Sequence, residues 1–417
     1  MSDFRFLHAA DVHLDSPLHG LARYEGIPIE EVRGATRAAF DNLIEYAISE
    51  RVDFLVIAGD LYDGEWKHMG TGLYFAQAMG RLHRAGISVF LLAGNHDAAS
   101  VITRQIPWPE NVRLFSSRQP QSHAIEELGV VVHGQSFATP VVTENLVANY
   151  PQAVPHAFNI GVLHTALSGA PGHAPYAPCD VPDLRAMGYD YWALGHVHAR
   201  QIVATDPHVI YPGNLQGRNI RETGPKGATL VEVSDRQVTS VTAIELDVLR
   251  WSRVEIDCND VTGETLADRV RSGLREAAAL EGAGRPLVVR LVLHGQSAVA
   301  GSLLDRATEL RDEVCAIATS ISHELWVEKV VSEVMPRPQT DVREAGLDFT
   351  EILDEAHDDP ELIEELRRDL EPFIVSARSS LGDAEPDELR SWAQAGEWSR
   401  MLQGGAEALR SRMADDA

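Results

Sequence analysis

The chain has 417 residues, 44% of them hydrophobic and 24% charged, which is ordinary for a soluble globular protein and leaves room for two or more domains. Three widely spaced cysteines without a C-x-x-C pair exclude a disulfide scaffold, and no apolar run approaches the ~20 residues that span a bilayer, so we expect a cytoplasmic protein without a membrane segment. The formal net charge of −26 argues against nucleic acid as a partner, because phosphate backbones are bound by Lys and Arg, although residues 341–417, with 21 acidic and 8 basic residues, carry half of this charge.

Five short apolar runs, each typical of a strand buried on both faces, end on side chains of the kind that bind metals. In chain order, the run from Phe4 ends at Asp11 and His13, the run from Phe54 at Asp60 and Asp63, the run from Val89 at Asn95, His96 and Asp97, the run from Ile160 at His164, and the run from Tyr191 at His196 and His198. Because ligands bind beyond the carboxyl ends of strands in open α/β sheets, we expect these side chains to meet in one crevice.

Apolar residues recur at helical spacing in residues 30–50 and 71–85, between the first three runs. This alternation of strand and helix is the βαβ pattern of a parallel layer. Residues 138–156 and 168–182 are rich in proline or glycine, which predicts surface loops near the crevice. Short strands at 209–211, 228–233 and 238–246 then complete a first domain, residues 1–246.

The rest of the chain divides at Pro336-Arg-Pro338. Residues 247–340 predict a small α/β domain with strands at 252–256, 286–293 and 324–331 and helices at 265–280 and 302–317. Residues 341–417 predict an acidic helical tail, with helix starts at Pro360 and Pro386, where proline suits the first turn. Acidic and apolar positions alternate in this tail, from Leu347 to Val375, in a spacing that predicts amphipathic helices.

The side chains at the strand ends form a ligand set of two carboxylates, one amide oxygen and four imidazoles, without a thiolate. This set suits manganese, iron, zinc or magnesium and argues against copper(I) or an iron–sulfur cluster. Seven ligands are too many for one ion, whereas two ions sharing one carboxylate would use all of them. A lone Gly94-Asn-His-Asp97 would be an ordinary turn, but five ordered occurrences favour a site.

The ordered motifs D-x-H, G-D, G-N-H-D, H and G-H-x-H resemble the signature of the calcineurin-like metallophosphoesterase superfamily, over residues 4–235. The segments FRFLHAADVHLDSPLHGL and YPGNLQGRNIRETGPKG look like those of the SbcD/YhaO-type DNA repair exonuclease subunits within it. The resemblance implies a four-layer α/β/β/α sandwich with a small α/β capping domain and a helical C-terminal tail. It also implies two divalent ions, with Mn²⁺ expected first and Fe, Zn or Mg as alternatives.

Roles follow from position in these motifs. One ion would take Asp11, His13 and His198, the other Asn95, His164 and His196, with Asp60 bridging the two. His96 would be the acid that protonates the departing oxygen, Asp97 would orient His96, and Asp63 would support Asp60 or a ligand histidine. The loop 213–227, with Arg218, Arg221 and Lys226, either contacts substrate phosphates or is a solvated hairpin.

The implied function is that of a two-metal-dependent DNA nuclease, of exonuclease type, that acts in DNA repair beside an SMC-like coiled-coil ATPase. Residues 247–340 would bind DNA and the tail would bind the ATPase; a homodimer is left open. One alternative is a phosphodiesterase that acts on nucleotides or other small phosphoesters. Another is a non-catalytic scaffold subunit, against which the complete ligand set and His96 argue.

Overall fold

The computed structural model describes residues 3–16, 29–63, 69–99, 108–167, 176–259 and 261–336, and beyond these 359–360, 362–368, 370, 392 and 396–415. The described residues form two compact units. The first unit comprises the described residues within 1–19, 28–252 and 284–287. The second unit comprises the described residues within 253–283 and 288–417.

The first unit contains two six-stranded sheets and the helices that cover them. Its elements in chain order are β1 (Phe4–Ala9), α1 (Ile29–Ser49), β2 (Phe54–Ala58), α2 (Met69–Arg84), β3 (Ser88–Leu92), α3 (Asn95–Ala99), β4 (Val112–Leu114), β5 (Gln121–Ile125), β6 (Val130–Gly134), a 3₁₀ turn (Leu146–Asn149), β7 (Phe158–His164), α4 (Val181–Ala186), β8 (Tyr191–Gly195), β9 (Gln201–Thr205), β10 (His208–Tyr211), β11 (Gly227–Ser234) and β12 (Gln237–Glu245).

The first sheet has the order β12-β11-β1-β2-β3-β4. Strands β1 to β4 are parallel, with α1 and α2 as the crossovers between β1, β2 and β3, which confirms the predicted βαβ pattern. Strand β11 extends the sheet as the antiparallel neighbour of β1, and β12 pairs antiparallel with β11 at the edge. The second sheet has the order β5-β6-β7-β8-β10-β9, in which the four central strands are parallel and the two edges antiparallel.

Three layers of buried side chains hold this unit together. Between the sheets lies an aromatic core, in which Phe6 stacks on Phe54 with 4.9 Å between ring centroids and meets Tyr191 edge-on at 5.2 Å. Helices α1 and α2 cover the outer face of the first sheet, while α4 and the 3₁₀ turn cover that of the second. This is the expected α/β/β/α sandwich, and burial of both sheet faces explains why its central strands are continuous apolar runs.

Two histidines inside the sheets, His8 and His133, have packing roles. His8 is fully buried and lies 3.0 Å from the Tyr191 hydroxyl and 3.1 Å from the carbonyl oxygen of Leu194. Burial lowers the pKa of His8 to about 3, so this ring is neutral. His133 is held between Ser122 and Asn159 and stacks on Tyr189.

The second unit has a three-stranded sheet with helices. Its elements are β13 (Arg250–Asp257), α5 (Gly263–Ala277), a π-helical turn (Ala278–Gly282), β14 (Leu287–Gln296), α6 (Ala300–Asp305), α7 (Ala307–Ile321), β15 (Leu325–Met335) and α8 (Trp398–Asp415), and its sheet order is β13-β14-β15. The single helix predicted for 302–317 is wrong. Arg306 has φ −110° and ψ 29°, outside the helical region, and separates α6 from α7.

Part of the predicted tail is described. The chain is helical at Pro360, and the Asp359 carboxylate accepts a hydrogen bond from the Leu362 amide at 3.4 Å, as expected for a helix that starts there. The predicted start at Pro386, and the apolar positions 347–353 and 373–375, lie outside the described residues. Among the helices that are described, none combines the length and the apolar character that crossing a membrane requires.

Candidate metal centre

The predicted ligands come together where strands of both sheets end. The loops after β1 and β2 are joined by hydrogen bonds of 3.0 Å, from the Asp11 amide to the Gly59 carbonyl and from the His13 amide to the Asp60 carbonyl. The amide of His196, after β8, donates to the Asp11 carboxylate at 3.0 Å. Two strand ends are thus joined through their backbones, and the Asp11 side chain joins the third to them.

Asp11, His13 and His198 form one group of side chains. Their ligand atoms all lie within 4.8 Å of one another, and the Nε2 atoms of His13 and His198 are 3.3 Å apart. Two nitrogens bound to one ion at about 2.1 Å would have nearly this separation. The Nδ1 atom of His13 is buried and has no hydrogen-bond partner among the described residues, and Asp63 Oδ1 lies 3.8 Å from it.

Asp60, Asn95 and His164 form the other group. His164 Nε2 lies 2.9 Å from Asn95 Oδ1 and 3.3 Å from Asp60 Oδ2, while its Nδ1 donates to the Ala58 carbonyl at 2.9 Å. The His196 ring meets the His164 ring at 5.3 Å between centroids. Asp60 belongs both to a group with Asp11 and His164 and to a group with His13 and His96, so it lies between the two sides.

The buried charged side chains of this centre stabilise one another. Burial disfavours both charged forms, yet their mutual attraction lowers the pKa of Asp60 to about 2 and raises the pKa of His164 to about 9. Without a metal, the two side chains therefore form an ion pair. A divalent cation would replace the proton of His164, as is usual when imidazoles bind metals. The donor set and its convergence fit two such ions.

His96 lies at the edge of this centre. Its Nδ1 is 3.0 Å from Asp63 Oδ1, and its side chain is 39% exposed. Asp63 also accepts a hydrogen bond from Ser16 at 2.5 Å. The hydrogen bond with Asp63 raises the pKa of His96 although burial opposes the charge. His96 is thus a partly exposed imidazole with one nitrogen anchored.

The structure corrects the predicted role of Asp97. Its carboxylate accepts hydrogen bonds from the backbone amides of Leu61 and Gly94 at 3.0 Å and of Tyr62 at 2.9 Å. Asp97 therefore fixes the loop after Asp60 against the turn before Asn95, and Asp63 is the residue that anchors His96. Asp63, which was predicted to support Asp60 or a ligand histidine, lies 3.0 Å from His96 and 3.8 Å from the ring of His13.

The centre requires unusual backbone at several positions. Asp11, His13, Asp60 and His196 have φ of 50°, 46°, 52° and 99°, in the left-handed region that non-glycine residues seldom adopt. At Gly94, a Cβ atom would lie 2.9 Å from the Asp60 backbone nitrogen and 2.9 Å from His164 Cε1, and closer still to the Asp60 carboxylate. The motif glycine is thus needed for close approach of two strand ends.

The loop 213–227 is no hairpin, because it connects β10 of the second sheet to β11 of the first. Lys226 Nζ donates to the His198 carbonyl at 3.2 Å, Arg221 is exposed, and Arg218 is bound to acidic side chains. Contact of these three residues with substrate phosphates stays a prediction. For Lys226 the structure shows instead a contact that supports the backbone of His198.

Glu222, in the same loop, is a site residue that sequence reasoning missed. Its Oε1 lies 2.7 Å from His198 Nδ1, which leaves His198 Nε2 for a metal. Burial would raise the pKa of Glu222, but the His198 hydrogen bond and the Arg218 charge hold it below its ordinary value. The residue lies within the segment YPGNLQGRNIRETGPKG, although a single glutamate in a polar loop gives no signal of its own.

Comparison with known proteins agrees with this geometry. Residues 4–200 match the calcineurin-like phosphoesterase family, and residues 251–335 match the middle domain of the metallophosphoesterase YhaO. The chain is 38% identical over 303 residues to the uncharacterized metallophosphoesterase YhaO of Bacillus subtilis, covering 71% of this chain and 72% of that protein.

More distant relatives carry a functional description. The chain is 25% identical over 327 residues to the DNA double-strand break repair protein Mre11 of Sulfurisphaera tokodaii, covering 75% of this chain and 79% of that one. It is 26% identical over 308 residues to the protein of the same description from Aeropyrum pernix, covering 70% and 72%. The chain therefore belongs to the calcineurin-like metallophosphoesterases, with a YhaO-type middle domain, and is homologous to YhaO and to the Mre11 proteins.

Proposed function

We propose that this chain is a two-metal-dependent DNA nuclease, of exonuclease type, that acts in DNA repair with an SMC-like coiled-coil ATPase. The proposal rests on the position of Asp60. This residue lies between two groups of metal-binding side chains, and the partly exposed His96 lies beside it. Similarity to Mre11 supports DNA as the substrate. Manganese is the ion we expect from the family resemblance, and the carboxylate, amide and imidazole donors suit iron, zinc and magnesium as well.

Asp11, His13 and His198 would hold one ion, and Asn95, His164 and His196 the other, with Asp60 shared. When bound, two such ions stabilise the charge of an in-line phosphoryl displacement and make hydroxide available at neutral pH. His96 contributes a proton. Because Asp63 holds its Nδ1, Nε2 is the nitrogen that can protonate the departing oxygen. A complete site of this kind argues against a non-catalytic scaffold subunit.

The test compares labelled single-stranded DNA, duplex DNA and bis-p-nitrophenyl phosphate as substrates of the purified protein, with manganese and after EDTA. We expect manganese-dependent hydrolysis of bis-p-nitrophenyl phosphate and of at least one DNA form. His96→Ala prepared in the same way should be about 10²–10⁴-fold slower. Hydrolysis of bis-p-nitrophenyl phosphate without any DNA cleavage would favour a small-phosphoester phosphodiesterase. Failure with every substrate would favour a scaffold subunit.

We further propose that the middle domain, residues 247–340, binds DNA. All three groups of metal-binding side chains found among the described residues belong to the first unit, so the middle domain contributes something other than metal chemistry. A chain that ends at Ser252 retains every residue of the centre. We expect it to hydrolyse bis-p-nitrophenyl phosphate at the parental rate and to lose DNA cleavage, as measured on the labelled substrates.

The matched control is a chain that ends at Pro338, which keeps the middle domain and lacks the tail. It should cleave DNA as the full chain does. The melting transition and metal content show whether the chain ending at Ser252 is folded. If that folded chain cleaves DNA as well as the control does, the middle domain has no DNA-binding role.

The tail, residues 341–417, is proposed to bind the ATPase. Its acidic character would repel DNA and favours a protein partner, and its apolar positions suit helices that lie in a groove. The chain ending at Pro338 should therefore fold and keep its phosphodiesterase activity, yet fail to co-purify with a coiled-coil ATPase that the full chain retains. Retention of the ATPase by the shortened chain would contradict this prediction.

A further inference from the structure

Arg218 lies between two carboxylates, each of which holds a histidine of the centre. Its Nη1 is 3.5 Å from Asp63 Oδ2, and its Nη2 is 3.1 Å from Glu222 Oε1. Asp63 holds His96 at 3.0 Å, and Glu222 holds His198 at 2.7 Å. One guanidinium therefore joins the side chain that anchors the proposed acid to the side chain that anchors a proposed metal ligand.

The charged side chains of this network are buried and pair with one another. The side chain of Arg218 is 16% exposed and that of Glu222 is 9% exposed, and charges so far from water require partners. Glu222 Oε2 also accepts hydrogen bonds from the Arg218 amide at 2.7 Å and from Asn214 Nδ2 at 2.9 Å. Its position is therefore fixed from several sides.

We propose that Arg218 is a positioning residue that couples His198 to His96, through Glu222 on one side and Asp63 on the other. The part of this inference that concerns kcat rests on the proposed hydrolysis at this centre. The part that concerns metal affinity does not. It replaces the prediction that Arg218 contacts substrate phosphates, because the two carboxylates already occupy its guanidinium. A planar fork that reaches two carboxylates is a geometry that lysine cannot reproduce.

Three substitutions separate the branches. Glu222→Gln should act mainly on metal binding, because its contact is with His198, and should lower kcat less than Asp63→Asn does. Asp63→Asn should act mainly on kcat, because its shortest histidine contact is with His96. Arg218→Ala should do both, and Arg218→Lys should recover only part of each loss.

The experiment titrates manganese into each metal-free full-length variant by calorimetry, then measures kcat and KM for bis-p-nitrophenyl phosphate at saturating manganese. For Arg218→Ala we expect a roughly 10–100-fold loss of metal affinity, typical of residues that support a metal ligand. We also expect a lower kcat with an unchanged KM. Arg185→Ala, which removes an exposed arginine on α4, is the control for loss of positive charge.

Three results would overturn the inference. Parental metal affinity in Arg218→Ala would break the branch to His198, and full recovery of kcat at saturating manganese would break the branch to His96. A higher KM for bis-p-nitrophenyl phosphate, with unchanged kcat and metal affinity, would return Arg218 to phosphate binding. If the parent hydrolyses neither DNA nor the small substrate, the proposed function fails, and the metal titration alone decides whether Arg218 supports His198. Should Arg218→Ala not melt cooperatively, Arg218→Lys and Arg218→Gln take its place.

Discussion

Asp60→Asn is expected to lose bound metal and hydrolytic activity together. Asp60 Oδ2 lies 3.3 Å from His164, and Oδ1 accepts the amide of His96 at 3.0 Å, so its carboxylate faces both sides of the centre. The asparagine amide is neutral and offers no negative charge to two cations, and its NH₂ group is a hydrogen-bond donor. Activity should fall roughly a thousandfold or more, since the ions supply several kcal/mol of transition-state stabilisation.

His96→Ala is the companion variant, because it alters the same crevice without removing a proposed ligand. It should keep both ions and lose turnover by about 10²–10⁴-fold, as expected for a general acid. Metal content per chain, measured on the two purified proteins by mass spectrometry, separates the roles. Equal metal loss in both variants would show that His96 is itself a ligand, and full metal content in Asp60→Asn would remove Asp60 from the centre.

Gly94→Ala should disrupt the centre as severely, although it removes no functional group. The added Cβ would meet the backbone nitrogen of Asp60 and the ring of His164, each at 2.9 Å. The backbone atom cannot move away as a flexible side chain can, because Asp97 fixes the loop after Asp60 to the turn at Gly94. We therefore expect the distance between Asp60 and His164 to change, metal affinity to fall and activity to be lost.

Gly34→Ala is the matched control, because Gly34 lies in α1 and a Cβ there has no heavy atom within 4 Å. That variant should be fully active and as stable as the parent or slightly more so, since alanine favours helices. Melting temperature and manganese affinity are measured for both. If Gly94→Ala bound manganese as Gly34→Ala does, the close approach of the two strand ends would not be what shapes the centre.

The short or partly exposed strands β4, β5 and β9 could not be predicted from the sequence. The strands that lead to the proposed ligands could, because almost every residue in them is buried, whichever face it lies on. Such strands are continuous apolar runs, and an abrupt polar end marks where the sheet meets solvent. The break between α6 and α7 could not be predicted in this way. It depends on the backbone angles of one residue, Arg306, within a stretch whose apolar spacing continues.

The proposed metal ligands could be predicted from the sequence, whereas the residues that hold them in place could not. Each proposed ligand follows the end of a strand, so motif order carries the information. The sequence predicts that Asp97 orients His96, yet neighbours on a helix point about 100° apart. Asp63, which follows another strand, fills that position. Glu222 reaches His198 across 24 residues of loop and short strands, where no periodicity links the two.

Because Asp11, His13, Asp60 and His196 have left-handed backbone, we expect bound metal to contribute to the stability of the folded state. Such conformations cost roughly 1–3 kcal/mol each, and glycine or asparagine would adopt them more readily. Selection for stability alone would therefore replace these side chains. A ligand that binds only the folded chain returns about 2.7 kcal/mol at a hundredfold excess over its dissociation constant. In a cell starved of divalent ions, this protein would lose abundance through unfolding as well as losing activity.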